Sequence, residues 1–173
     1  RKDFVPSYLH NRAYEDERLP IGMGQTLSPP YLVARMLQEL KLPAGARVLE
    51  IGTGAGYQTA LVSTMAEHVF TVEVLPELSA RARKMLMDDM EITNVSFRSA
   101  DGYQGWSDQA PFDAVVVSVA AEEIPWPLQG QLRAPGRLVM PVGDPREQTL
   151  QAWERKRSGG DLSLVFEEPV TSI

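Results

Sequence analysis

The chain of 173 residues contains no cysteine and only two histidines, His10 and His68. The first absence excludes a disulfide-stapled secreted fold, thiolate zinc sites and cysteine-nucleophile catalysis. The second argues against a histidine-based metal centre. No apolar run approaches the roughly 20 residues that a membrane-crossing helix needs, and no signal peptide is visible. Excess positive charge is missing as well: 17 Lys and Arg against 23 Asp and Glu leave a formal net charge of −6. Proteins that wrap a nucleic-acid backbone carry a basic patch, so this balance argues against DNA or RNA as a partner. Internal repeats and low-complexity segments are also lacking.

The composition, 43% hydrophobic and 23% charged, is that of a soluble globular domain with a real core. One domain, a monomeric state and the cytoplasm are the expectations, with no membrane partner. Arg1 is not a natural start, and the chain is expected to be a piece trimmed at both ends. Within it, residues 1–30 form a loop-rich arm, 46–143 an α/β core and 147–168 a C-terminal hairpin.

The arm is polar and punctuated by Pro6, Pro20, Pro29 and Pro30, which disfavour regular structure. Its Gly22-Met23-Gly24-Gln25-Thr26-Leu27-Ser28 segment is the small, polar type that lies across a site. Ser28 before Pro29-Pro30 reads as an N-cap with proline in the first turn. Leu32, Val33, Met36, Leu37 and Leu40 then recur with helical spacing, and Pro43 and Gly45 end the helix.

Alternation of strands and helices follows. Strands are predicted at 47–51, 69–73, 95–98, 112–118 and 136–140, and helices at 57–66, 76–90 and 128–132. The apolar run from Phe112 to Ser118 is that of a strand buried on both faces. Two further strands, 149–156 and 162–167, flank the turn signal Ser158-Gly159-Gly160-Asp161. The fold class is therefore α/β: a doubly wound, mostly parallel Rossmann-like sheet with a C-terminal antiparallel hairpin. Ligands in such sheets bind beyond the C-terminal strand ends, near the switch point.

The first strand runs into Glu50-Ile51-Gly52-Thr53-Gly54-Ala55-Gly56-Tyr57. This is G-x-G-x-G, whereas the dinucleotide pattern G-x-G-x-x-G would put glycine at position 57. A buried pyrophosphate would not welcome Glu50 beside the turn; a ligand with a positive amino group would. S-adenosyl-L-methionine has such a group and no phosphate. Glu73, at the second strand end, stands about 20 residues after the loop, where a carboxylate can accept from ribose hydroxyls. Asp101-Gly102, after the third strand, offers an acceptor for the adenine amino group. Each acid alone is equally explained as a solvated strand end; the three together with the loop form a constellation.

The remaining polar and aromatic residues have plainer readings. Trp106, Trp126 and Trp153 read as packing or rim residues, His10 and His68 as surface or edge residues, and Glu122-Glu123 as a solvated helix start. Met85 reads as core, and Arg81, Arg83 and Lys84 as the solvated face of the helix after the second strand.

From Arg1 to about Gly143 the chain resembles the protein-L-isoaspartate O-methyltransferases. The resemblance is carried by Phe4-Val5-Pro6, Ala13-Tyr14, Leu19 to Gly22, Gly24 to Ser28, Val48 to Tyr57, Asp101-Gly102, Pro111 to Asp113, Ile124-Pro125, Gln131-Leu132 and Gly136 to Gly143. The glycine loop marks only a broad methyltransferase class, whereas Gly-Gln-Thr-Leu-Ser and Pro-Val-Gly are more specific. The resemblance implies that Ser28 is the family's active-site serine, and that Thr26, Glu50, Gly52, Gly54, Glu73, Asp101 and Gly102 surround S-adenosyl-L-methionine. It implies proteins or peptides with isoaspartyl residues as substrates, their free α-carboxylate being methylated. The ester collapses to a succinimide, and hydrolysis returns part of it to normal aspartate. No metal is implied.

The chemistry suits the residue inventory. A carboxylate with an ordinary pKa of about 3.9 is already anionic at neutral pH. Methyl transfer to it needs in-line placement and no general base. Ser28 would hold the substrate carboxylate by a hydrogen bond and has no triad partner; it is expected to cap its helix as well. The chain departs from the family at Pro29, where Gln or Ala is more usual, and at Ala100, where Gly is usual. It also stops at Val170-Thr171-Ser172-Ile173, about where a closing C-terminal segment would begin. Competing readings are methylation of a normal aspartate in a dedicated partner peptide, and a methyltransferase-like binding domain without turnover. A nucleic-acid methyltransferase is disfavoured by charge and by the lack of an Asn-Pro-Pro-Tyr-type motif, and a dinucleotide reductase by the glycine spacing.

Overall fold

The computed structural model describes residues 1–144 and 147–170. The Thr171-Ser172-Ile173 end, at which a closing segment was expected to begin, lies outside the described residues. A seven-stranded sheet has the order β5-β4-β3-β6-β7-β8-β9. Its parallel part consists of β3 (Arg47–Ile51), β4 (His68–Glu73), β5 (Val95–Ser99), β6 (Phe112–Val117) and the long β7 (Leu132–Asp144). β8 (Glu147–Arg155) and β9 (Ser163–Val170) continue it antiparallel from β7. The predicted hairpin is thus an extension of the main sheet. The order reverses between β3 and β6, both of which lead away from the same central position.

Strand periodicity sorts the core into two layers. Val48, Val69, Ala114, Val116, Val139 and Leu150 face one side, with Leu32, Val33, Met36, Leu37 and Leu40 of α1 (Pro30–Leu40) and Val62 of α2 (Tyr57–Ser63). Leu49, Phe70, Val115, Val117, Leu138 and Met140 face the other, with Leu128 of α4 (Trp126–Gln131). Full burial of a Val, Leu, Met or Phe side chain among these contributes about 1.5–3 kcal/mol. This two-sided burial is why β6 reads Phe-Asp-Ala-Val-Val-Val rather than as an alternation.

The structure corrects several sequence expectations. The arm is built, not loose: Leu19–Gly22 (β1) and Gln25–Leu27 (β2) form an antiparallel ribbon, preceded by two short 3-10 segments. Phe4, Leu9, Ala13, Leu19, Ile21 and Leu27 are buried with Leu78 and Leu86, so apolar side chains spaced irregularly by prolines still make a core. The helix expected over 76–90 is α3 (Pro76–Arg83), continued by a wider π turn over Lys84–Asp89. Its buried residue there is Leu86, with Met85 half-buried. Glu122 and Glu123 lie in an exposed bend, and α4 begins only at Trp126, where Pro125 sets the turn.

Arg1, read in the sequence only as an unnatural start, fastens the arm. Its guanidinium donates to the carbonyls of Ala13 (2.6 Å), Glu15 (3.1 Å), Glu17 (2.7 Å) and Ser28 (2.9 Å). Arg81 adds a bond to the Ile21 carbonyl at 3.2 Å, so this arginine of the supposedly solvated face also holds the ribbon down.

Candidate active site

A cavity of about 490 Å³ opens beyond the C-terminal ends of β3, β4 and β6, at the switch point of the sheet. That volume falls within the usual range of small-molecule pockets. The C-terminal ends of three parallel strands deliver the apolar side chains Ile51, Val72 and Val117 to it, and Glu73 with the loops that follow supplies polar groups. The ribbon β1-β2 crosses the mouth and brings Thr26 and Ser28 to the same wall.

The glycine loop turns because Gly52 (φ +91), Gly54 (φ +55) and Gly56 (φ +91) occupy the left-handed region that L side chains avoid. All three glycine amides are engaged. Gly52 donates to the Val72 carbonyl at 2.9 Å, Gly56 to the Thr53 carbonyl at 2.9 Å, and Gly54 to a carboxylate oxygen of Glu73 at 2.9 Å. A pyrophosphate site needs such amides free and no carboxylate beside them. The loop is therefore built for a ligand without phosphate.

Glu73 is buried, and its second oxygen accepts the Leu75 amide at 3.0 Å. Asp101 is exposed on the far side and accepts the Tyr103 amide at 2.9 Å, which fixes the turn carrying Gly102. Gly102 is glycine for a packing reason: a Cβ there would collide with Ile51 Cγ2.

Of the eight residues predicted for the site, seven line this one cavity: Thr26, Ser28, Gly52, Gly54, Glu73, Asp101 and Gly102. Glu50 does not. It is fully buried one layer below, its carboxylate accepting from Thr59, from Thr71 at 2.7 Å and from Gln58 at 3.2 Å. Burial pushes its pKa up to about 7, against the lowering pull of these three bonds and with the charge of Glu73 adding to the rise. Glu50, expected among the residues around the cofactor, thus stands behind the cavity wall and does not line it, because strand alternation turns it away from the cavity that Ile51 faces.

Ser28 also differs from expectation. The helix α1 starts at Pro30 with Pro29 as its N-cap; Pro29 makes no side-chain cap bond, and the free Tyr31 amide of the first turn donates instead to Asp16 Oδ1 at 2.9 Å. Pro29 leaves Ser28 one residue too early to reach the free amides, so its hydroxyl is not spent on capping while its carbonyl is held by Arg1. Gln58, Thr53 and Ser118 also line the cavity and escaped the sequence reading. Ser118 directly follows β6 and could have been found by interrogating every strand end rather than the acidic ones alone. Among the described residues no cluster of three or more His, Asp or Glu is placed to hold a metal ion, and no helix is long and apolar enough to cross a membrane.

This sheet order, with a glycine loop after its first parallel strand and a cavity at its switch point, is the fold of a class I S-adenosylmethionine-dependent methyltransferase. A solved protein-L-isoaspartate O-methyltransferase superposes with a TM-score of 0.79 at 29% identity, covering 100% of this chain, which spans 57% of that one. A Plasmodium falciparum structure in complex with S-adenosyl-L-homocysteine has the same fold, with a TM-score of 0.71 at 24% identity over 92% of this chain and 78% of its own. The family model for protein-L-isoaspartate(D-aspartate) O-methyltransferase matches residues 1–171, and the chain belongs to that family. The relative in Anaeromyxobacter dehalogenans (strain 2CP-C), a protein-L-isoaspartate O-methyltransferase, is 49% identical over 178 residues, covering 100% of this chain and 85% of that protein. Its counterpart in Vibrio atlanticus is 47% identical over 151 residues, covering 87% of this chain and 72% of its own.

Proposed function

We propose that this protein methylates the free α-carboxylate of L-isoaspartyl residues in damaged proteins or peptides, with S-adenosyl-L-methionine as methyl donor, and so opens their repair through a succinimide. The observation that carries the reading is the convergence of the arm segment Thr26–Ser28 with Glu73, Asp101 and the phosphate-excluding glycine loop on one cavity.

The residues present fit the cofactor. Glu73 keeps lone pairs free for ribose hydroxyls, Asp101 is exposed toward the cavity rim, and Ile51, Val72, Leu128 and Met140 give an apolar floor. Bound there, the cofactor supplies an electrophilic methyl group on a sulfonium. The protein's own part is placement. The substrate carboxylate is anionic without help, so no base is required of the chain. Ser28 donates its uncommitted hydroxyl proton to that carboxylate and aims it; such orientation can supply several kcal/mol of the barrier reduction. Arg1 holds Ser28 in place through the backbone. A monomer working in the cytoplasm completes the reading, supported by the lack of any thiol to oxidise and by the acidic balance.

Chromatography of an isoaspartyl peptide incubated with the protein and S-adenosyl-L-methionine tests this. The methyl ester appears first, the succinimide next and the aspartyl peptide last. A peptide that stays unchanged while the cofactor binds refutes turnover and leaves a binding domain.

A further inference from the structure

The group the cavity does not touch, Glu50, is wired to its wall by two hydrogen-bonded arms. On one side Thr71 donates to Glu50 Oε2 at 2.7 Å, and Thr53 Oγ1 stands 2.6 Å from Thr71 Oγ1. A threonine hydroxyl carries a single proton. Thr71 has given its proton to the carboxylate, so Thr53 donates to Thr71 and turns only lone pairs toward the cavity. On the other side the Gln58 amide nitrogen gives one proton to Glu50 Oε1 at 3.2 Å and the other to Ser118 Oγ at 2.8 Å. Ser118 accepts there, which leaves its own proton for an acceptor in the cavity. Thr59 also donates to Oε2 but leads to no wall residue.

We propose that Glu50 is a positioning residue for cofactor binding: through Thr71 and Gln58 it sets Thr53 as an acceptor and Ser118 as a donor on the cavity wall. The proposal rests on the reading that the cavity takes S-adenosyl-L-methionine, whose amino acid end offers both a donor ammonium and an acceptor carboxylate. Three donors converge on Glu50, so the arrangement is that of the ionised carboxylate. A proton on Glu50 cannot be given to the Gln58 nitrogen, which only donates; it must go to a threonine. Given to Thr71, it reverses that arm and points the Thr53 proton into the cavity, against a ligand ammonium. Around Glu50 the partners from α2 and β4 are the uncharged Gln58, Thr59 and Thr71, β6 contributes Ser118 through Gln58, and the charge acting on it is that of Glu73 on β4. Burial brings its titration to about neutral pH.

The test is calorimetric titration with S-adenosyl-L-homocysteine between about pH 5.5 and about pH 8.5, a window that brackets the titration. Wild-type affinity is expected to fall about tenfold as pH drops, inflecting near 7. Glu50→Gln, whose amide must donate to a threonine as the protonated acid does, binds about tenfold more weakly with no pH dependence. Thr71→Val, which cuts one arm, weakens binding at high pH, whereas Thr59→Val leaves high-pH affinity unchanged and moves the inflection upward. Should Glu50→Gln not fold, the contrast between Thr71→Val and Thr59→Val decides. Parallel pH curves of equal affinity in wild type and Glu50→Gln, or equal effects of the two threonine variants, overturn the proposal and leave the cofactor reading intact. Absence of any binding to wild type overturns both.

Discussion

Glu73 grips Gly54: one carboxylate oxygen accepts the Gly54 amide at 2.9 Å, while the other holds Leu75 at 3.0 Å. The end of β4 thereby clamps the turn that follows β3, and an acid that lines the cavity also shapes the glycine loop beside it. Charge-assisted bonds of this kind are each worth about 1.5–3 kcal/mol. Glu73→Ala should weaken S-adenosyl-L-homocysteine binding about a hundredfold and Glu73→Gln about tenfold, by calorimetry. Equal affinity in all three proteins would remove Glu73 from the site.

Ser28 carries no capping bond, and that separates its two readings. Loss of a true N-cap costs about 0.5–2 kcal/mol. Ser28→Ala should instead leave the melting temperature within about 1 °C and cofactor affinity within about twofold, while lowering kcat about tenfold or more by removing one orienting hydrogen bond. A stability loss with unchanged turnover would return Ser28 to a structural role.

Arg1 gathers four carbonyls, those of Ala13, Glu15, Glu17 and Ser28. Arg1→Ala should lower stability by about 2–3 kcal/mol, since buried carbonyls lose a charged donor. It should also speed hydrogen exchange across residues 13–28 and raise KM for the peptide more than for the cofactor. Arg1→Lys, with one compact donor group in place of a fork, should recover only part of this.

Glu50 makes stability depend on pH. Its folded pKa of about 7 lies above the ordinary 4.5, so the folded state holds its proton longer than the unfolded chain. Stability from this group is full below about pH 4.5 and is lost as pH rises through 7. The loss amounts to about 3 kcal/mol at 1.36 kcal/mol per pKa unit. Chemical denaturation across that range should show the fall in wild type and a flatter profile in Glu50→Gln.

The parallel core was legible because β3, β4 and β6 are buried on both faces and so are mostly apolar without strict alternation, and because a glycine loop follows β3 and an acid ends β4. The arm was not. Its seven buried apolar residues from Phe4 to Leu27 follow no helical or strand period, since 3-10 turns and prolines set their spacing. Glu50 illustrates the limit of a motif: its position beside the glycines is visible in the sequence, but the side of the strand it faces depends on register with Thr71 and Val116. Gln58 and Ser118 acquire meaning only from the fold, 60 residues apart in sequence and bonded at 2.8 Å.

The most direct measurement is radiolabelled methyl transfer from S-adenosyl-L-methionine to two matched peptides, one isoaspartyl and one aspartyl. Label on the isoaspartyl peptide alone is the predicted result. Label on the aspartyl peptide, or on neither while S-adenosyl-L-homocysteine still binds, would contradict the repair activity and favour a dedicated partner or a binding domain.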